Sequence, residues 1–570
     1  MTGSYEPVPL EESNRAIDVF DLTAGTRLLA CSIADFLRLD PQLDVQARDP
    51  DLIQADLSIG GGNFGAVLVM LNGMRINDPQ TGHFNLNIPV PLATIGRIEV
   101  LKGSGSAIYG SDAVDGVVNV ITRTPESNDF RLRTSVGNFG TNQQSGAFTL
   151  VEPKVTEQLS FSRDFSSGFM ADRDYRDLSL ASITHLRSGL GATDLLLASD
   201  DRPYGANQFY GAFDSWERTR SWYASARQEV GTNTEVDFSF RRATDLFVLL
   251  RDDPAYYTNR HLDKTWDAAV RRHNTLSSNM TLSYGMEGYH DSIHSNNLGD
   301  HNHSRGAGYA ALDIRALRRF SITLGAREEV FTGLAHQFSP TAAVGYWLSQ
   351  RFKLRASASH AFRLPSYTEL YYSDPQNLGN PNLRPEQAWD YEAGLDWHAA
   401  PWLRGEIDVF NRRERDGIDY VRASPADLWQ ATNFDHLNFT GVEATLIATL
   451  GTRRTNEIAF RYSALQGAEG VLDGLESKYI FNYPRNSGEV SWYAALPKGF
   501  LFRTRVGVLE RLGRNPYALW DAYIASTKTR LHPFLQLTNL TNTDYQEILG
   551  VQMPSRGIIG GIELVVMGAK

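Results

Sequence analysis

The chain has 570 residues, 42% hydrophobic and 21% charged, with a formal net charge of −11. That length exceeds one ordinary domain, and the acidic balance argues against nucleic-acid binding, which needs a basic footprint. No run of about 18 apolar residues offers a helix able to cross a bilayer, and the single cysteine, Cys31, excludes an intramolecular disulfide.

The opening MTGSYEPVPLEES has neither the basic segment nor the apolar core of a signal peptide. SIADFLRLDP (32–41) predicts a short helix with Ser32 as N-cap and Pro41 as its stop; Cys31, just before it, reads as a small buried apolar residue. AVLVML (66–71), RIEVL (97–101) and VVNVIT (117–122) are the near-continuous apolar runs of strands covered on both faces. Between the last two lies KGSGSAIYGSDAVDG (102–116). It fails as a dinucleotide fingerprint because Ile108 stands where the third glycine belongs, and as a P-loop because Ser111 and Asp112 follow Gly110. Tight turns of a compact core account for it better. Residues 1–125 thus read as a small α+β domain.

From about residue 126 the period becomes two. TEVDFSFR sets Val236, Phe238 and Phe240 against Glu235, Asp237 and Ser239. RFKLRASAS sets Phe352, Leu354, Ala356 and Ala358 against Lys353, Arg355, Ser357 and Ser359, and NEIAFRYSA does the same around Ile458, Phe460 and Tyr462. Such strands suit a sandwich, or a barrel whose apolar face meets lipid and whose polar face meets a wet lumen. At roughly 20 residues per strand and connection, residues 126–570 hold about 22 strands, the size of a plugged-lumen barrel. Polar stretches at 198–218, 251–266 and 371–387 read as long loops of one rim. His290, His294, His301 and His303 form a histidine-rich tract that is a candidate metal site, although the spacing is not a zinc-finger one. The acidic stretches DRDYRD (172–177) and SDDRP (199–203) are candidates for Ca²⁺ in outer loops. No H-E-x-x-H or G-x-S-x-G constellation appears, so no enzyme is expected.

RIEVLKGSGSAIYGSDAVDGVVNVIT and SIGGGNFGAVLVMLNGMRIND (58–78) resemble the plug signatures of TonB-dependent outer-membrane receptors. GNPNLRPEQAWDYEAGLDW (379–397), NFTGVEATL (438–446) and PFLQLTNLTNTDYQEI followed by RGIIGGIELVV resemble that family's barrel segments, in order along the whole chain. The resemblance implies an all-β transmembrane barrel of about 22 antiparallel strands with the α+β plug inside its lumen. It further implies an outer-membrane monomer importing a small organometallic ligand that carries iron or cobalt, a ferric siderophore or cobalamin, energised by the TonB–ExbB–ExbD complex. Within the family, the resemblance points to the cobalamin-receptor group. The alternatives are a non-energised binding or adhesion protein of the same fold, and a soluble enzyme with a β-rich domain.

In the resembling receptors the loop NDPQTGHFN rises to the plug apex, which nominates Asn77, Asp78, Gln80, Thr81, His83 and Asn85 as ligand contacts. Family members place two plug arginines against two wall glutamates. Glu392 and Glu443 match the glutamates, and Lys102 stands at the second arginine position. Gly60 stands at the first, and Asp115 replaces a usual glycine, so the resemblance implies a weakened plug seat. The family's N-terminal TonB box and signal are expected upstream of Met1, and Met567–Lys570 are expected beyond the last strand.

Overall fold

The computed structural model describes residues 12–567 except 318, 452–454 and 468–471; the stretch expected to adjoin a TonB box lies outside them. The plug contains β1 (Ile17–Asp21), β2 (Leu43–Ala47), β3 (Ala55–Ile59), β4 (Val67–Leu71), β5 (Met74–Arg75), β6 (Ile95–Lys102) and β7 (Gly116–Thr122). Five of these make one sheet in the order β1-β6-β7-β4-β5, with β4 and β7 parallel, while β2 and β3 form a separate hairpin. All five residues of β4 are buried. A sheet enclosed on both faces needs that continuous apolar run. The plug core extends into the wall, where Ala181, Ile183, Leu196, Ala198 and Tyr223 join Val69, Leu71, Ile98 and Val120.

A closed antiparallel barrel of 22 strands surrounds the plug, running from Asp129–Gly137 to Gly557–Met567, which pair with one another to shut the ring. The two-residue period decides the solvent. Phe238, Phe352, Leu354, Ile458 and Phe460 are exposed, while Asp237, Lys353, Arg355 and Arg461 are buried. A water-soluble sandwich would show the reverse; an apolar outer face and a polar lumen belong to a membrane barrel. No helix among the described residues is long and apolar enough to span a bilayer. Met567 belongs to the closing strand rather than to an overhang.

One rim carries two-residue turns such as 189–190 and 350–351, and the other carries the long connections 364–385, 416–436 and 539–556. Two of the expected loops are shorter than their polarity suggested. Strands Gly191–Gly205, Trp216–Val230 and Thr258–Ser277 run deep into the stretches 198–218 and 251–266, because the polar residues there alternate into the lumen. On the long rim, Asn377–Leu378, Gly417–Arg422, Trp429–Phe434 and Glu476–Ser477 form a four-stranded sheet from separate loops.

The helix near Cys31 covers only Ala34–Leu37, and Ser32 is not its cap. The Asp35 carboxylate instead accepts from the Cys31 backbone N–H at 2.7 Å. Cys31 is half-buried rather than enclosed, its Sγ 2.7 Å from Gln536 Oε1.

Candidate functional site

Two constellations connect plug to wall. The first is a set of buried charges beneath the plug sheet. Lys102, at the end of β6, directs its ammonium to Asp18 at 2.8 Å, Asp40 at 2.9 Å and the wall residue Glu443 at 3.0 Å. Three rotatable donors on a compact head suit three carboxylates around a point, an arrangement a planar guanidinium does not match. Burial pulls against the Lys102 charge, but the three carboxylates more than offset it and hold its pKa well above the ordinary value.

Glu392 also has a plug cation, though not from the expected position. Arg15 bonds it through Nε at 3.3 Å and Nη2 at 3.4 Å, and donates to the Ser104 carbonyl at 2.8 Å. The predicted weak seat at Gly60 and Asp115 is corrected by a reversal of charge. The wall supplies the guanidinium: Arg412 lies 2.7 Å from Asp115 Oδ1 and donates to the Ile59 and Gly60 carbonyls at 3.4 and 3.3 Å. A Cβ at Gly60 would stand 3.0 Å from Phe410 and 3.5 Å from Arg412 Nη1, on a backbone with φ +58°. An arginine there would meet another arginine. Gly62 makes room for Asp115, since a Cβ on it would fall 1.6 Å from Asp115 Oδ2. Asp115 itself is not a positive-φ residue, so the strain foreseen there does not arise.

The second constellation is a cavity of about 280 Å³ over the plug apex, opening toward the long-loop rim. All six nominated apex residues line it. Much of their polarity serves the loop itself. Asn77 Oδ1 accepts from Val69 N at 2.7 Å and its Nδ2 donates to the Val67 carbonyl at 3.0 Å, tying the loop to β4. Asn85 accepts from Asp78 N, Asp78 from Gln80 N, and Thr81 caps the turn Gly82–Phe84. Two wall contacts fix the height of the loop: Asp78 to Arg241 at 3.2 Å and Gln80 Nε2 to Asp245 at 2.8 Å. His83 Nδ1 sits 2.7 Å from Asp56, and its ring stacks on Phe64 at 4.3 Å between centroids. Burial, with Arg48 nearby, pulls His83 below the ordinary imidazole range against the pull of Asp56.

The loops supply what the sequence did not nominate. Tyr256, Tyr257, Tyr367, Tyr372, Tyr420 and Tyr479 face the same space. Lys478 lies 5.5 Å from the Tyr420 ring centroid and 5.3 Å from that of Tyr479, and donates to Asn377 Oδ1 at 2.7 Å. Burial draws its pKa down to about 8, against Asp374 and Asp419. Arg363 is held by both oxygens of Glu369, at 2.9 and 3.1 Å, and by Glu386 at 3.0 Å.

The four nominated histidines do not converge. His290 and His294 point out of the barrel on one strand, whereas His301 and His303 point inward on the next. Successive strand residues face opposite sides, so one ion cannot reach both pairs. His301 stacks on Tyr371 at 3.7 Å and His303 on Tyr367 at 5.1 Å, steadying the short helix Tyr367–Tyr371. Among the described residues no group of three or more His, Cys, Asp or Glu is placed to hold a metal. The acidic stretches are likewise taken by arginine: Asp172 and Asp174 by Arg251, Asp177 and Asp200 by Arg202.

Known proteins fit this architecture. A family model described as TonB dependent receptor-like, beta-barrel matches residues 110–540, and the TonB-dependent Receptor Plug Domain model matches residues 9–117. An iron-regulated outer membrane virulence protein of Vibrio cholerae is 27% identical over 488 residues, 75% of this chain and 72% of its own length. A vitamin B12 transporter of Vibrio vulnificus is 23% identical, covering 98% of this chain and 93% of its own. The FrpB iron transporter of Neisseria meningitidis superposes with a TM-score of 0.79 at 14% identity, over 96% of this chain and 99% of that one, which speaks for the fold. With both the plug and the barrel matched, the chain belongs to the TonB-dependent receptor family of the outer membrane.

Proposed function

We propose that this receptor, acting as a monomer coupled to the TonB–ExbB–ExbD complex, imports a small metal chelate of low net charge, of the cobalamin or neutral ferric-siderophore class. The iron or cobalt is cargo, and the protein does no chemistry on it. The carrying observation is the lining of the cavity. Eight tyrosines line it, and its cations Arg305, Arg363 and Lys478 are outnumbered by eight carboxylates, Arg363 being held directly by Glu369. Such a surface offers stacking and hydrogen bonds but little unbalanced positive charge for a polyanionic chelate. Two relatives, a vitamin B12 transporter and an iron-regulated outer membrane protein, agree with that class.

The test is twofold. Binding of cobalamin, a neutral hydroxamate chelate and a trianionic catecholate chelate is followed on the purified receptor. Uptake of each is then measured in an envelope system with and without an uncoupler. Tight binding of a neutral ligand with uncoupler-sensitive uptake supports the reading. Preference for the trianion would overturn the charge argument, and binding without energised uptake would favour the non-energised alternative.

A further inference from the structure

The outer wall carries a feature that neither constellation uses. Seven neighbouring strands, from Asp129–Gly137 to Thr234–Val248, present an apolar concavity of about 630 Å³ to the membrane. Small residues Gly146, Ser182 and Ala224 form its floor, between Phe148, Phe161 and Trp222. Toward the long-loop rim the same outward face turns cationic. Arg163, Arg220 and Arg242 each stand two residues rimward of a lining aromatic, Phe161, Trp222 and Phe240 respectively. Two residues along a strand keep the same face and rise about 7 Å.

The charges are not balanced within the wall. Arg176, Arg218 and Arg220 converge on the single carboxylate of Asp201, at 3.0, 2.7 and 2.9 Å. Arg242 is paired directly across from Lys264 on the next strand. Like charges opposite one another destabilise a sheet unless something anionic lies over them. Arg163 is held by a neutral amide, Gln144 Oε1, at 2.9 Å. Asp201 is the one carboxylate among the described outward-facing residues at this height on the six strands that carry the stripe, from Val155–Ser166 to Thr258–Ser277. The stripe spans roughly 24 Å, taking about 4.8 Å between strands, wider than one phosphate needs.

We infer that this face binds a phosphorylated lipid of the outer leaflet, its phosphates on the arginine–lysine stripe and its acyl chains in the aromatic-walled concavity beneath. Charge complementarity selects the headgroup, the position of the groove one short step below it selects an acylated molecule, and the breadth of the stripe selects more than one phosphate. The site is separate from the cavity over the plug, and it gives the barrel a fixed lipid contact on one side.

The experiment takes the whole receptor in detergent and counts retained lipid by native mass spectrometry. The probes are a bisphosphorylated glycolipid with several saturated acyl chains, its dephosphorylated counterpart, and inorganic phosphate as competitor. Wild-type receptor is expected to retain the phosphorylated lipid at least ~10-fold better than the dephosphorylated one. The fourfold variant R218Q/R220Q/R242Q/K264Q is expected to lose that preference, while R413Q, on a distant part of the wall, keeps it. Equal retention of the two lipids by wild type, or displacement by inorganic phosphate alone, would overturn the inference. The wild-type comparison decides even where the fourfold variant does not fold.

Discussion

Arg412→Met is the sharpest perturbation of the plug seat. It removes the one ion partner that Asp115 has among the described residues, and neither Asp115 oxygen has another hydrogen-bond donor. The carboxylate is fully enclosed between plug and wall. Breaking a buried pair from one side leaves an uncompensated charge and costs about 3–5 kcal/mol. The reciprocal change, Asp115→Asn, should cost less, because Arg412 keeps Glu414 and the two plug carbonyls. The double variant should recover most of the loss, giving a coupling well above the ~0.5 kcal/mol within which independent sites add. Plug unseating can be read as ion leak through single barrels in a planar bilayer, with denaturant resistance of the plug as a second measure. Equal single-variant effects, or an additive double variant, would refute the argument that Arg412 compensates Asp115.

The same pair gives a pH dependence with a definite sign. Burial pushes the Asp115 carboxyl well above its usual range, Arg412 opposes that push, and Glu414, Glu386 and Asp390 add to it. The seated plug therefore binds the Asp115 proton more tightly than an unseated plug does, so seating weakens as pH rises above the ordinary carboxyl value of about 4. Without Arg412 the raised pKa climbs further, and leak through Arg412→Met barrels should grow from acid toward neutral pH more steeply than in wild type. A flat profile would exclude Asp115 as the titrating group.

Three further outcomes are expected. Lys102→Arg should loosen the plug by about 1–2 kcal/mol, since a planar fork cannot serve Asp18, Asp40 and Glu443 together; the leak assay reads it, and an unchanged leak would contradict the point-charge argument. Gly103→Ala should impair seating more, because its Cβ would fall 1.7 Å from Glu392 Oε1 on a backbone with φ +69°; denaturant resistance of the plug decides. The loop sheet around Lys478 should become more resistant to proteolysis as pH rises from about 8, its folded value, toward 10.5, the unperturbed one, because the folded loops bind that proton less well than the open ones; Lys478→Met should abolish the trend.

The parts of this molecule legible in its sequence are those where a single strand carries its own signal. Phe352, Leu354, Lys353 and Arg355 announce a wall strand by alternation alone, and the burial of Lys353 with exposure of Phe352 settles which medium lies outside. The apex loop was recognisable from its turn residues, but not the division of labour within it, because Asn77 serves β4 and His83 faces Phe64 only after the chain has folded. Rim strands read as loops in sequence where Asp200, Arg202 and Tyr204 alternate into a charged lumen, since polarity marks a wet interior as well as a wet surface. The plug seat shows the same limit most clearly. Gly60 and Asp115, taken one at a time, are two losses of a basic plug. Set beside Arg412 of the run NRRER, they are one exchange of sign across an interface that conserves the attraction while moving the cation to the wall. A single sequence contains all three residues but no statement that they meet. Arg15 shows how far apart such partners can lie, since it reaches Glu392 across 377 positions of chain. Complementary departures from a pattern are therefore better read as one hypothesis about contact than as separate defects, and here the contact is a 2.7 Å ion pair.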